Sequence, residues 1–246
     1  MKITSKNIKA AFSETSSYYL IVMNFFPVAG VLLWNWDPVS VVYFYIAETI
    51  VIGILNFFKI LISQTNLADK AGRKLQIPFF GKLFIGIFFL IHFNAFNYGQ
   101  IELFTSFSGR SSGSFGSFLN YFLTDDVLSI ALLTIIISHI FSFYTDFIKG
   151  KQYEYVPPFI FMFLPYPRIF VQQFVGVFGV FFVMIFNLPL MFLILLQIFK
   201  TLAELFSHTF INEKLENLIK TKRDSKEQKK ITDQLLIKKS LFINKL

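Results

Sequence analysis

The sequence contains no cysteine, and this absence excludes several kinds of site before any motif is considered. Without thiols there is no disulfide framework, no thiolate nucleophile and no cysteine-ligated metal cluster, so only oxygen and imidazole groups remain as metal ligands. Charge is also scarce, because Asp, Glu, Lys and Arg make up only 15% of the 246 residues. A soluble domain ordinarily carries about 25% charged residues. The chain therefore has too little polar surface for one soluble fold.

Common catalytic and nucleotide-binding motifs are absent as well. The sequence has no G-x-x-x-x-G-K-[ST] loop, no G-x-G-x-x-G turn, no H-E-x-x-H pair and no G-x-S-x-G elbow. These motifs mark P-loop proteins, dinucleotide-binding folds, zinc proteases and α/β-hydrolases, respectively. The usual nucleotide, zinc-protease and hydrolase classes are thereby removed.

Long apolar runs fill most of the chain, which is 54% hydrophobic with a mean hydropathy of +0.59. A membrane-spanning helix needs about 20 apolar residues, and open sheets cannot satisfy their edge groups in lipid. Runs of suitable length lie at 17–35, 39–63, 78–107, 127–149, 168–186 and 188–208. The sequence therefore predicts an all-α, polytopic membrane helix bundle with about six transmembrane helices.

One apolar segment, Glu154–Arg168, is too short to cross a bilayer. It is bounded by Pro157, Pro158, Pro165 and Pro167. Proline ends helices, so we expect a short segment that lies in the inner interface or re-enters the membrane partway. It could serve as the lip of a cavity or as an aromatic anchor.

The distribution of basic residues predicts the orientation in the cell membrane. With both termini inside, Arg110 is the one basic residue placed outside, against eleven in the inner segments that precede Lys200. Cytoplasmic segments carry the excess of Lys and Arg. We therefore expect a cytoplasmic N-terminal segment (1–16), a six-helix domain (17–208) and a basic cytoplasmic tail (209–246).

The tail from Glu213 onward mixes ten basic with five acidic residues. A basic amphipathic helix on anionic lipid headgroups and a solvated tail are both compatible with this pattern. Nucleic-acid binding is not expected, because the charge is mixed and membrane topology already explains it. The sequence does not define an oligomeric state.

Three ionisable residues lie near the middle of consecutive predicted spans, namely Glu48, His92 and His139. Ionisable groups at that depth are costly in lipid, so they usually face the bundle interior and mark functional sites. The alternative is that each one separately hydrogen-bonds a neighbouring helix. We predict that the three converge on one intramembrane polar site.

Further polar residues are expected on the inner side of this site. His139 and Asp146 share one helix face, and a second stripe runs along the last span. The inner-side residues are Asp146, Arg168, Lys200, Glu204 and His208. In the second stripe, Lys200, Glu204 and His208 could instead be an ion-paired helix end.

Two histidines and one carboxylate form the ligand set that a catalytic divalent metal accepts. Glu48, His92 and His139 are thus candidate metal ligands, with a protonated Glu48 hydrogen-bonded to a histidine as the alternative. Three classes of function remain open: an intramembrane enzyme or metal-binding protein, a transporter or proton-coupled conduit, and a non-catalytic component that docks a partner.

Several short blocks carry a resemblance to a known family. They include "YFYIAETIVIGILNFFKIL", "FFLIHFNAFNYG", "SHIFSF", "PYPRI" and "KTLAELFSH", spread over residues 40–208. Together they resemble a prokaryotic multi-pass membrane family that is known only as a domain of unknown function. The chain has Gln173 where that pattern has a histidine, and Glu204 where an aspartate is usual. The resemblance implies the membrane fold but no activity.

Overall fold

The fold is a bundle of α-helices, as seen in a computed structural model of the chain. Apart from Phe25 and short helical stretches within 217–234, the structure describes residues 28–35, 38–64, 67–68, 74–75, 77–107, 115–174 and 189–206. The helices are α1 (28–34), α2 (Pro38–Ile62), α3 (Phe79–Phe107), α4 (Phe115–Leu123), α5 (Asp126–Ser142), α6 (Pro158–Phe163), α7 (166–174) and α8 (Pro189–Phe206). A π-helix (Phe143–Lys149) continues α5, and a short 3₁₀ turn (Gln152–Glu154) follows it.

Three helices in the described part of the chain are long and apolar enough to cross a membrane. They cover Ser40–Ile62, Phe79–Ser106 and Asp126–Lys149. These ranges coincide with the second, third and fourth spans expected from the sequence.

The other predicted spans are described only in part. Of the first, 17–35, the helix at 28–34 is described, and of the fifth, 168–186, the structure describes residues up to 174. The sixth coincides with α8. The described residues thus contain three membrane-length apolar helices, compared with about six expected for the whole chain.

The helices α2 and α3 approach closely because each places a glycine against an aromatic ring of the other. A Cβ atom on Gly53 would lie 2.8 Å from Phe93, and one on Gly86 would lie 2.9 Å from Phe57. Small residues allow backbones to approach in membrane bundles, where packing replaces the hydrophobic driving force. The pair forms the frame on which the other elements pack.

A short helix that the sequence analysis missed packs on the first half of α2. The serine- and glycine-rich stretch before α4 favours a loop, yet Phe118 and Phe122 lie four residues apart and are both buried. Tyr121 of α4 hydrogen-bonds Ser40 of α2 with an oxygen–oxygen distance of 2.5 Å. Aromatic residues at helical spacing were the available signal for this helix.

The proline-bounded segment, expected at the interface or partway into the membrane, packs against protein. Val156 and Phe161 are fully buried in a cluster that includes Ile60 of α2 and Phe89 of α3. The Ser63 hydroxyl donates a 2.5 Å hydrogen bond to the Val156 carbonyl, which fixes the segment to the end of α2. The segment leads directly into α7, which carries Arg168.

Strand structure in the described residues is limited to one minimal hairpin in the loop after α2. Leu67–Ala68 pairs in antiparallel fashion with Lys74–Leu75. This two-residue ladder is a local exception to the expected all-α architecture.

Candidate functional site

The carboxylate of Glu48, on α2, lies at the centre of a cluster of basic side chains. Lys200 Nζ donates to Glu48 Oε2 over 2.9 Å, and the Arg168 guanidinium contacts the same oxygen. His139 Nε2 lies 3.2 Å from Glu48 Oε1. These residues come from α8, α7 and α5, so one carboxylate links three helices to α2. We call Glu48, His139, Arg168 and Lys200 the charge cluster.

The charge cluster is largely shielded from solvent. The side chains of Lys200 and Arg168 are 7% and 13% exposed, and those of Glu48 and His139 are 17% and 27% exposed. Opposite charges at this burial interact more strongly than at a surface, and removing one partner leaves a costly uncompensated charge. His139 is the most accessible member, since it extends from the largely exposed helix α5.

An aromatic ring supports both permanent cations. The Tyr45 ring centroid lies 5.0 Å from the Arg168 guanidinium carbon and 4.9 Å from Lys200 Nζ. The electron-rich face of an aromatic ring attracts cations at this range. The Tyr45 hydroxyl also donates a 3.2 Å hydrogen bond to the Arg168 carbonyl. Tyr45 therefore positions Arg168 and Lys200 independently of Glu48.

The other edge of the Arg168 guanidinium is held by a hydroxyl. Arg168 Nε donates to Thr49 Oγ1 over 3.1 Å. Thr49 is fully buried, and its oxygen also lies 3.0 Å from Gln172 Oε1. Arg168 is thus oriented by a side chain one turn beyond Tyr45 on α2.

A chain of amides extends this arrangement to α3. Gln172 Nε2 donates to Gln100 Oε1 over 2.7 Å and to Asn97 Oδ1 over 3.2 Å. Gln100 Nε2 in turn donates to the Gln172 carbonyl over 2.7 Å. Because all three side chains are at most 2% exposed, the polar network that begins at Glu48 continues through buried, hydrogen-bonded groups.

The polar stripe on α5 leads away from the charge cluster. Ser142, one turn after His139, donates a 2.7 Å hydrogen bond to Asp146 Oδ2. Asp146 lies in the π-helix, a conformation that is often found at functional sites. Asp146 and Ser142 are both exposed, so the stripe runs from His139 along the exposed side of the helix.

His92 does not join the charge cluster, which corrects the expectation of a three-residue site. Its exposed ring stacks on Phe88 at 5.6 Å with an interplanar angle of 7°, and also contacts Phe96 and Tyr166. Burial raises the pKa of the Tyr166 phenol, so this neighbour stays a neutral aromatic ring.

The geometry of α3 explains why His92 points elsewhere. The buried face of this helix includes Phe89, Phe93, Asn97 and Gln100. His92 precedes Phe93 by one residue and is therefore rotated by about 100° around the helix axis. Glu48, His92 and His139 were predicted to converge because they lie at the same depth along their spans. Depth does not determine how a helix is rotated about its axis, and this rotation decides which neighbour a side chain meets.

The three residues predicted as metal ligands, Glu48, His92 and His139, do not all lie together in the structure. Among the residues that the structure describes, no group of three His, Cys, Asp or Glu side chains could hold a metal ion. His92 lies outside the charge cluster, and the Glu48 carboxylate already contacts Arg168 and Lys200. Two permanent cations on the same carboxylate would repel a divalent metal.

Among the expected inner-side residues, Arg168 and Lys200 contact Glu48 directly. Lys200 contacts Glu48, and the interpretation of Lys200, Glu204 and His208 as an ion-paired helix end stays a prediction. Glu204 lies within α8, but its side chain and His208 lie outside the described residues. Sequence reasoning also missed Tyr45, Thr49, Asn97 and Gln100 as members of the network.

A family model covers most of the chain. The model described as "Family of unknown function (DUF6498)" matches residues 7–230. The chain belongs to this family. No curated protein and no solved structure matches the chain, so the charge cluster has to be interpreted from its own geometry.

Proposed function

We propose that the protein is a proton-coupled carrier of the cell membrane, with Glu48 as the group that takes up the proton. The observation that carries this proposal is the contact of one carboxylate with basic side chains from three other helices. A single protonation event at Glu48 would therefore act on α5, α7 and α8 together.

The proposed carrier has six transmembrane helices and cytoplasmic termini. Support comes from the three membrane-length helices, from α8 and from the location of the basic residues. In this topology Glu48 and His139 lie near the middle of the membrane, and Asp146 lies towards the cytoplasm. The stripe from His139 to Asp146 then offers protons a path from the cytoplasmic side.

Protonation changes the balance of charge within the cluster. Ionised Glu48 compensates the charges of Arg168 and Lys200, whereas protonated Glu48 leaves two cations facing one neutral group. Two like charges about 4 Å apart repel by about 4 kcal/mol at the effective dielectric of a protein surface. About 5.5 kcal/mol shifts a two-state equilibrium from one conformation almost entirely to the other. Uptake of one proton thus removes the attraction that joins α7 and α8 to α2, and the remaining repulsion between Arg168 and Lys200 is of the right magnitude to move α7 and α8 apart.

His139 is suited to exchange the proton with Glu48. Its imidazole contacts the carboxylate and is the most exposed side chain of the charge cluster. An imidazole ring has two nitrogens, one of which can accept a proton while the other donates one, so it can pass a proton between neighbouring groups. This contact supports the proposal of a proton-coupled carrier.

Accessibility of α8 tests the proposed movement. The chain has no cysteine, so Thr201→Cys provides a single thiol beside Lys200. Thr201 is 6% exposed, and its hydroxyl donates a 2.7 Å hydrogen bond to the Gln197 carbonyl. Glu48→Gln mimics the protonated carboxyl, and we expect it to increase maleimide labelling of Thr201→Cys severalfold at constant pH.

Thr105→Cys is the matched control. Thr105 is 3% exposed and donates an equivalent 2.7 Å bond to the Ile101 carbonyl. It lies on α3, which supplies no member of the charge cluster, and its hydroxyl is 2.8 Å from the Tyr43 hydroxyl of α2. Its labelling should not respond to Glu48→Gln. Equal labelling of Thr201→Cys in both backgrounds, in protein that elutes as a folded species, would contradict the proposal and leave the cluster as a structural clamp.

A further inference from the structure

The donors that surround the Glu48 carboxylate define where the oxygens of an anion bind. One carboxylate oxygen contacts Arg168 and Lys200, and the other contacts His139. Arginine presents a planar fork of donors and lysine a compact point charge, and both bind carboxylate and phosphate oxygens. Glu48 therefore occupies the position of an anionic group that carries at least two oxygens.

The two permanent cations do not depend on Glu48 for their positions. Arg168 is held by Thr49 through Nε, and Tyr45 lies against both Arg168 and Lys200. If Glu48 gives up its contacts, these supports remain. A site that is organised before its ligand arrives loses less free energy to ordering when it binds.

The groups that face Glu48 also determine how charge is restored after protonation. They are Arg168 from α7, Lys200 from α8, His139 from α5 and Tyr45 from α2 itself. Thr49 and Gln172, which complete this side of the cluster, are neutral. A proton on Glu48 removes the negative charge that these described groups share, so an incoming anion would replace it.

We infer that the carrier takes up, together with its proton, a ligand with a carboxylate or phosphate group, which binds Arg168 and Lys200 in place of Glu48. This inference rests on the proposed function, because it needs Glu48 to become protonated. The proton goes to the Glu48 carboxylate, and the ligand takes over the contacts with the two cations. For a monovalent anion, one proton and one ligand move together and no net charge crosses the membrane.

Proton binding and anion binding are therefore linked with the same sign. Each makes the other more favourable, and the linkage is reciprocal. The carboxylate of Glu48 competes with the ligand when it is ionised and stops competing when it is neutral. Replacing Glu48 with glutamine should give the high-affinity state at every pH.

Binding to the purified full-length protein tests the inference. Inorganic phosphate and acetate serve as probes in calorimetric titrations at pH 7.5, where their ionisation is the same for each variant. We expect Glu48→Gln to bind at least one probe about tenfold more tightly than the unsubstituted protein. Adding Lys200→Met to Glu48→Gln should abolish this gain, whereas adding His92→Ala should not.

A measurement without any substitution at Glu48 guards against misfolding of the variant. Sulfate stays fully ionised between pH 5.5 and 7.5, so a change in its affinity for the unsubstituted protein reports protonation of the protein. We expect tighter sulfate binding at pH 5.5. A parallel titration with phosphatidylglycerol in mixed detergent micelles shows whether the anionic group belongs to a lipid headgroup or to a small solute.

The outcomes separate the two proposals. If Glu48→Gln binds either the small anions or phosphatidylglycerol more tightly than the unsubstituted protein does, this result supports an anionic ligand. If the unsubstituted protein and Glu48→Gln bind the probes with equal affinity, and sulfate binding does not change with pH, the inference of an anionic ligand is overturned. If Thr201→Cys labelling still rises in Glu48→Gln, the proton-driven movement stands and only the anionic ligand is rejected.

Discussion

Lys200 Nζ lies 2.9 Å from Glu48 Oε2, although 152 residues separate them in the chain. The contact joins α8 to α2 and brings a permanent cation into the same cluster as Arg168 and His139. Because both side chains are mostly buried, the pair holds the two helices together only while Glu48 is ionised.

Removing Glu48 alone should cost more stability than removing Glu48 and Lys200 together. Glu48→Gln leaves Arg168 and Lys200 without their shared counter-ion, a loss of roughly 3–5 kcal/mol for a buried pair, whereas Lys200→Met leaves Glu48 paired with Arg168 and should cost less. We expect the double variant to recover about 1–3 kcal/mol of the summed loss in unfolding measurements in detergent micelles. Lys82→Met combined with Glu48→Gln is the control, because Lys82 donates to the Ser63 carbonyl and should show additive effects.

The hydroxyl that orients Arg168 gives a second prediction. Thr49→Val removes the acceptor of Arg168 Nε and should cost about 1–3 kcal/mol of unfolding free energy, because a buried donor loses its partner. Thr134→Val is a matched control, since the exposed Thr134 hydroxyl bonds only the Ile130 carbonyl of its own helix at 2.8 Å. Equal losses for the two valine variants would contradict a special role for Thr49.

Close packing of α2 and α3 gives a third prediction. Gly53→Ala would place a Cβ atom 2.8 Å from the Phe93 ring and should destabilise the protein by about 1–3 kcal/mol. Gly99→Ala has no atom within 4 Å of the added Cβ and should be neutral or stabilising by up to about 1 kcal/mol. Thermal unfolding of both variants in detergent checks the prediction, and a Gly53→Ala protein as stable as Gly99→Ala would contradict it.

The lengths of apolar runs were sufficient to predict three helices. The runs 39–63, 78–107 and 127–149 agree within one or two residues with helices in the structure, because bilayer thickness restricts a span to a narrow range of lengths. Helix α4 was missed, since its nine residues are too few to give a comparable signal. Its role depends on tertiary contacts with Ser40 and Tyr43, which no local pattern shows.

The candidate site was predicted only in part for a related reason. Position along a span places Glu48 and His139 at one depth, and the structure brings these two together. Position does not determine which way a helix is rotated, and the structure places His92 outside the charge cluster, against Phe88, Phe96 and Tyr166. Arg168 and Lys200 were expected towards the inner side, but long flexible side chains reach groups that their backbone positions do not indicate.

Membrane topology gives a fourth prediction. Single cysteines at Ser5, Ala71 and Ser112 in this cysteine-free chain report which side of the membrane each segment occupies. With both termini inside, an impermeant maleimide added to intact cells should label position 112 alone, whereas all three positions should react after the cells are permeabilised. Labelling of position 5 or 71 in intact cells would exclude the six-helix topology with cytoplasmic termini.

The coupling of protons to anions gives the last prediction. In proteoliposomes that contain a pH-sensitive dye, an inward gradient of inorganic phosphate, which does not cross lipid readily by itself, should acidify the interior when the unsubstituted protein is present. Glu48→Gln should abolish this acidification, because glutamine cannot take up the proton, and His139→Ala should slow it by removing the contact at Glu48 Oε1. His92→Ala should acidify normally, since His92 contacts Phe88, Phe96 and Tyr166 instead of the charge cluster. Acidification that persists in Glu48→Gln would show that the proton travels by another route and would remove Glu48 from the coupling step.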